Sequence, residues 1–94
     1  MVELKGSEKQ VKWAESIREK FMEEIDRQIK RSERHLETTP YEDAKQEIQR
    51  DLNIWTEFKE KVEREESASW FIDNRNESLY KLAGIPDVDL PGQF

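Results

Sequence analysis

The sequence predicts an all-α fold, an antiparallel three-helix bundle with two long helices and a shorter third, on three observations. Helix-start signatures stand at Ser7 with Gln10 and at Thr39-Pro40 with Glu42, each laid out as a capping box. A long apolar stripe at helical spacing follows each of them. No run alternates β-branched with polar residues, and there are only three Gly and three Pro.

Residues 1–6 read as a lead-in, with Val2 and Leu4 placed to staple onto the first turn of helix one. Helix one is predicted over 8–37. Val11, Ala14, Ile17, Phe21, Ile25, Ile29 and Leu36 share an arc of roughly 140° on it, and its length of about 45 Å is large for so small a domain. Pro40 ends that helix and opens helix two, predicted over 40–66. Tyr41, Ala44, Ile48, Leu52, Trp55 and Val62 form the stripe of helix two, and Ile54 and Phe58 widen it. So broad a face should touch two neighbours, or one neighbour and a partner protein. Ser67 reads as the cap of helix three, predicted over 68–83, where Ala68, Phe71, Ile72, Leu79 and Leu82 share a face. Gly84 suits a left-handed C-cap, with Ile85 and Pro86 closing the helix. The tail 85–94 carries Val88, Leu90 and Phe94 and should be extended. Helix three is too short to wall the far ends of helices one and two, and dimerisation is one physical remedy.

Ninety-four residues make a single domain spanning 1–94. Charged residues supply 40% of the chain, a level typical of disorder, but nine aromatics at helical spacing argue for a packed core. The absence of cysteine removes disulfides, thiolate metal sites and thiol catalysis, and fits a reducing cytoplasm. No apolar run approaches the ~20 residues of a membrane span, and the first residues lack the layout of a signal peptide. A cytoplasmic location without membrane contact is therefore expected. The formal net charge of −6 opposes nonspecific binding to a phosphate backbone.

The chemistry is sparse. His35 stands alone near the end of helix one, where a charged imidazole interacts well with the helix dipole. Without a second His or a Cys, it would need carboxylates alone as co-ligands. No glycine-rich phosphate loop is present, and no acid/base pair of carboxylates stands out. No cofactor, metal or enzymatic activity is expected. Lys20, Arg27, Arg31 and Arg34 occupy the back of helix one, beside a flank of Glu15, Glu19, Asp26, Glu33 and Glu37. Pairs Glu23–Arg27 and Asp26–Lys30 are spaced for ion pairing. This pattern makes either a salt-bridged solvent face or a basic ridge for an acidic partner or a phosphate backbone. Glu57, Glu60, Glu63, Glu65 and Glu66 make either a solvated stretch or an acidic rod that imitates nucleic acid.

Three residues fall out of phase. Trp13 lies at the edge of the helix-one arc, Trp70 lies nearly opposite the face of helix three, and Arg75 lies within that face. Exposed Trp and buried Arg are both unfavourable by default. Either the monomer repairs them, with Arg75 stacking on an aromatic or pairing with a carboxylate, or they anchor an interface, where Trp and Arg are enriched.

Two segments carry these residues. The first runs from Leu4 to Arg18 and includes Gly6-Ser7-Glu8-Lys9-Gln10 and Trp13-Ala14-Glu15. The second is Ser67-Ala68-Ser69-Trp70-Phe71-Ile72-Asp73-Asn74-Arg75. They resemble a motif pair in small helical proteins of bacteria, their phages and mobile elements, and cover about a quarter of the chain. The resemblance implies a bacterial or phage intracellular protein and brings no activity, cofactor or site residue with it. In an up-down-up bundle the two motifs would meet at one end.

The reading that follows is a non-enzymatic protein-interaction module, binding another protein or a second copy of itself through Trp13, Trp70, Arg75, Ile54 and Phe58. The alternatives are a nucleic-acid-associated factor using Lys20, Arg27, Arg31 and Arg34, or an acidic inhibitor that imitates nucleic acid.

Overall fold

A computed structural model describes residues 2–85; the tail expected beyond Ile85, with Val88, Leu90 and Phe94, lies outside the described residues. The described chain is α-helical, in the order α1 (Glu8–Thr38), α2 (Glu42–Arg64), α3 (Ala68–Asp73) and α4 (Leu79–Ala83). The molecule measures 50 × 30 × 15 Å, and α1 accounts for nearly all of the long axis.

The start of α1 follows the sequence closely. The Ser7 hydroxyl accepts from the Gln10 amide at 3.2 Å, and the Ser7 amide donates to Gln10 Oε1 at 3.0 Å, so the capping box is complete. The start of α2 does not. Thr39 is the C-cap of α1, its amide donating to the His35 carbonyl, and α2 begins at Glu42 behind Tyr41, which makes no side-chain cap bond. Thr39 is committed to ending one helix and so does not begin the next. Glu42 and Asp43 in the first turn of α2 face its positive dipole end instead.

α2 packs back along α1, and Lys59 pairs with Asp26 between them at 2.8 Å. The core lies in the half of this pair that includes the start of α1 and the end of α2. Ala14, Ile17, Phe21 and Ile25 of α1 meet Trp55, Phe58 and Val62 of α2, with Leu4, Ala68, Phe71 and Ile85 filling in. Beyond Ile25 and Trp55 the seam continues as Leu36, Ala44, Ile48 and Leu52, which are half-buried and outside the core cluster. Tyr41, at the turn, is 71% exposed.

The single third helix expected over 68–83 is broken in two. Ser67 caps α3 as expected, its hydroxyl accepting from the Trp70 amide. Asn74 then ends the helix, its backbone amide and its side chain both donating to the Trp70 carbonyl, at 3.1 and 2.7 Å. After a polar turn, α4 resumes at Leu79 and stops at Gly84, whose φ of +84° and bonds to Tyr80 and Lys81 carbonyls make the expected left-handed cap. α3 packs on α1 and α4 on α2, so α2 does have two neighbours. Tyr80 joins the layers, its hydroxyl donating to Gln28 of α1 at 3.0 Å and its ring edge-on to Trp55 of α2.

The lead-in lies against the junction of α2 and α3, and Leu4 enters the core cluster against which Val11 of α1 also packs. Lys5 forms an isolated parallel bridge with Ser67, donating to the Glu66 carbonyl and accepting from the Ala68 amide. Arg18 holds this segment from α1 by donating to the Val2 carbonyl at 2.8 Å. Gly6 permits the approach. A Cβ there would meet the Ala68 Cβ and the Gln10 Oε1, each at 3.1 Å.

Candidate protein-interaction surface

The two segments that carry the out-of-phase residues meet at one end of the molecule. The lead-in passes against Ser67 and Ala68, which brings the opening of α1 beside α3 and the turn that follows it. Trp13 is 49% exposed there, on the first third of α1. Arg75, freed from any helical face by the break at Asn74, turns back over it, with Cζ 4.9 Å from the centroid of the Trp13 ring. The Arg75 guanidinium also donates to the Ile72 carbonyl. The cation lies over the negative face of the indole while a backbone bond fixes its orientation. The result is an exposed, pre-positioned Trp–Arg pair joining two elements far apart in sequence.

Trp70 is positioned differently. It is half-buried, edge-on to Phe71 at 5.0 Å and to Phe21 at 6.2 Å, with the Lys61 ammonium 5.7 Å from its ring. Its ring belongs mainly to the packing between α1 and α3. Phe58 is 4% exposed, which makes it a core residue and takes it off the surface. Ile54 is half-buried beside a shallow groove of about 260 Å³ where Leu82 and Gly84 approach α2. Of the three residues expected at one end of the bundle, Trp13 and Arg75 are exposed and in contact while Trp70 is half-buried.

The charged positions also sort out. Lys20, Arg27, Arg31 and Arg34 are all exposed on α1. Arg27 pairs with Glu24, not with Glu23, and Asp26 reaches Lys59, not Lys30. The hydrogen bond to Asp26 raises the Lys59 pKa above the ordinary lysine value, partly opposed by burial of the ammonium. The acidic stretch is interrupted: Glu60 pairs with Arg64, Glu66 pairs with Lys5, and Glu65 accepts from the Ser67 amide. His35 is exposed in the last turn of α1. Among the described residues no group of three or more His, Cys, Asp or Glu side chains is arranged to hold a metal ion, and no helix is long and apolar enough to cross a membrane.

Sequence reasoning missed the Arg18 bond to Val2 and the close approach at Gly6. The signal for the second was present, because a glycine directly before a capping serine marks a place where another chain segment can come near.

No family model, no curated protein and no solved structure matches this chain.

Proposed function

We propose that this protein is a non-enzymatic interaction module that binds another protein through the edge formed by Trp13 and Arg75. The carrying observation is the exposed indole held under a guanidinium, 4.9 Å apart. A large aromatic left half in water loses solvation free energy that a partner's surface recovers, and its fixed partner lowers the entropy cost of ordering it on binding. Ile54, half-buried at the groove beside α4, is a secondary contact.

A photo-crosslinking residue at Ser16, one turn from Trp13 and exposed, tests this in living cells. The expected result is a covalent adduct with another polypeptide, lost on Trp13→Ala and on Arg75→Ala while both variants keep a cooperative thermal melt. No adduct, or one indifferent to both changes, removes the proposal.

Self-association is a second reading, favoured by Leu36, Ala44, Ile48 and Leu52, which continue the seam outside the core. Sedimentation that shows only the 11.3 kDa species at hundreds of micromolar rules it out.

A further inference from the structure

Trp13 is not isolated on α1. At 100° per residue, Lys9, Trp13, Lys20, Arg27, Arg31 and Arg34 fall within an arc of about 60°. All six are exposed, so the arc is a solvent ridge and not a seam with α2, α3 or α4. Its backbone is a seven-residue repeat, Trp13, Lys20, Arg27 and Arg34, with steps of about 10 Å, and it runs about 38 Å from Lys9 to Arg34. Arg75 adds a further cation at the Trp13 end. Among the described residues Lys9, Lys20, Arg31 and Arg34 form no ion pair, and Arg27 alone is paired, with Glu24.

We infer that this ridge binds an acidic α-helical segment of a partner protein, laid along α1 with its carboxylates over the cations and its end against Trp13. The inference rests on the Trp13–Arg75 reading and names the chemistry of its partner. Three observations favour a helix over nucleic acid. The cation repeat of seven matches carboxylates repeated every seven residues on a facing helix. The ridge is one helix wide, about 10 Å, whereas a duplex would also lie over the flank of Glu15, Glu19, Glu33 and Glu37, all exposed. The net charge of −6 repels an extended polyanion, while a short segment within a Debye length responds to the local cations.

Fluorescence anisotropy tests this with three labelled probes: a 28-residue helical peptide with Glu at heptad spacing, a helical peptide of the same composition with the register scrambled, and a 20-base-pair DNA duplex. The registered peptide should bind at least tenfold tighter than either other probe and weaken at least tenfold between 50 and 300 mM salt. Lys20→Glu, Arg31→Glu and Arg34→Glu together change only exposed side chains and should abolish binding without moving the thermal midpoint. Trp13→Ala should weaken it severalfold. Tighter binding of the duplex, equal binding of the scrambled peptide, or indifference to the triple reversal overturns the inference. If the Ser16 crosslink forms normally in the triple-reversal variant, the ridge is refuted while the Trp13–Arg75 edge stands.

Discussion

Replacing Gly6 with Ala probes the joint that holds the two motifs together. Gly6 has a φ of +155°, outside the range side-chain-bearing residues ordinarily adopt, so the substitution is strained before any contact is counted. The new methyl would stand 3.1 Å from both the Ala68 Cβ and Gln10 Oε1. Comfortable carbon contacts begin near 3.5 Å, so several tenths of an ångström must be absorbed. Ala68 is fully buried and fixed at the first turn of α3, and Gln10 Oε1 is the acceptor of the capping box. Neither yields freely. Strain and overpacking together cost about 2–3 kcal/mol. The lower entropy of the unfolded chain returns about 0.4–1 kcal/mol. The net loss of about 1–2.5 kcal/mol lowers the melting midpoint of a domain this size by roughly 5–20 °C. Urea titration followed by helical circular dichroism is the assay. Gly84→Ala is the control, since it shares a positive φ but meets nothing within 4 Å, and it should cost less. An unchanged or higher midpoint for Gly6→Ala would refute both the close approach and its assigned role.

Further outcomes follow from the caps and charges. Ser7→Ala removes a working capping box and should cost about 1 kcal/mol in urea titration, whereas Thr39→Ala, at a residue that caps only through its backbone, should stay within about 0.5 kcal/mol. Trp13 and Arg75 should show a coupling of about 0.5–1 kcal/mol in a double-mutant cycle; additive single changes would contradict the stacked geometry. The folded-state pKa of Lys59 is raised, so its contribution to stability is fully present below the ordinary value of 10.5 and is lost as pH climbs through the higher folded value. The pair with Asp26 is partly solvent-exposed and worth about 0.2–1 kcal/mol, so the stability gap between the parent and Lys59→Met should close in that alkaline range. A gap that widens there would reverse the assigned sign.

The long helices were legible because their signals are local and redundant. Ser7 and Gln10 fix the start of α1, and its apolar period carries it to Thr38 within a residue of the expected end. Ser67 and Gly84 were equally readable, because capping chemistry depends on a few neighbouring atoms. The failures occurred where two local signals competed. Thr39 had the composition of an N-cap but served as a C-cap, and Asn74, whose side chain adds a second bond to the Trp70 carbonyl, ended a helix whose apolar positions ran on. That split explains Arg75, which looked buried only while residues 68–83 counted as one helix. The contact between Arg75 and Trp13 was not legible by periodicity, since it depends on the docking of the lead-in against Ser67.

That docking makes the paired amides of Lys5 and Ala68 a clasp between the two ends of a long antiparallel hairpin. The hairpin can zip from its tip through residues close in sequence, but the clasp cannot shut until both helices are complete. It therefore closes late in folding, and because it sits on the buried core beside Ala68 its two amides should open only together with those around Ile25 and Val62, after the half-buried tip has frayed. Every opening of that kind also loosens the seat of Trp13, so the grip of the proposed surface is set by a fastening that contributes no atom to it.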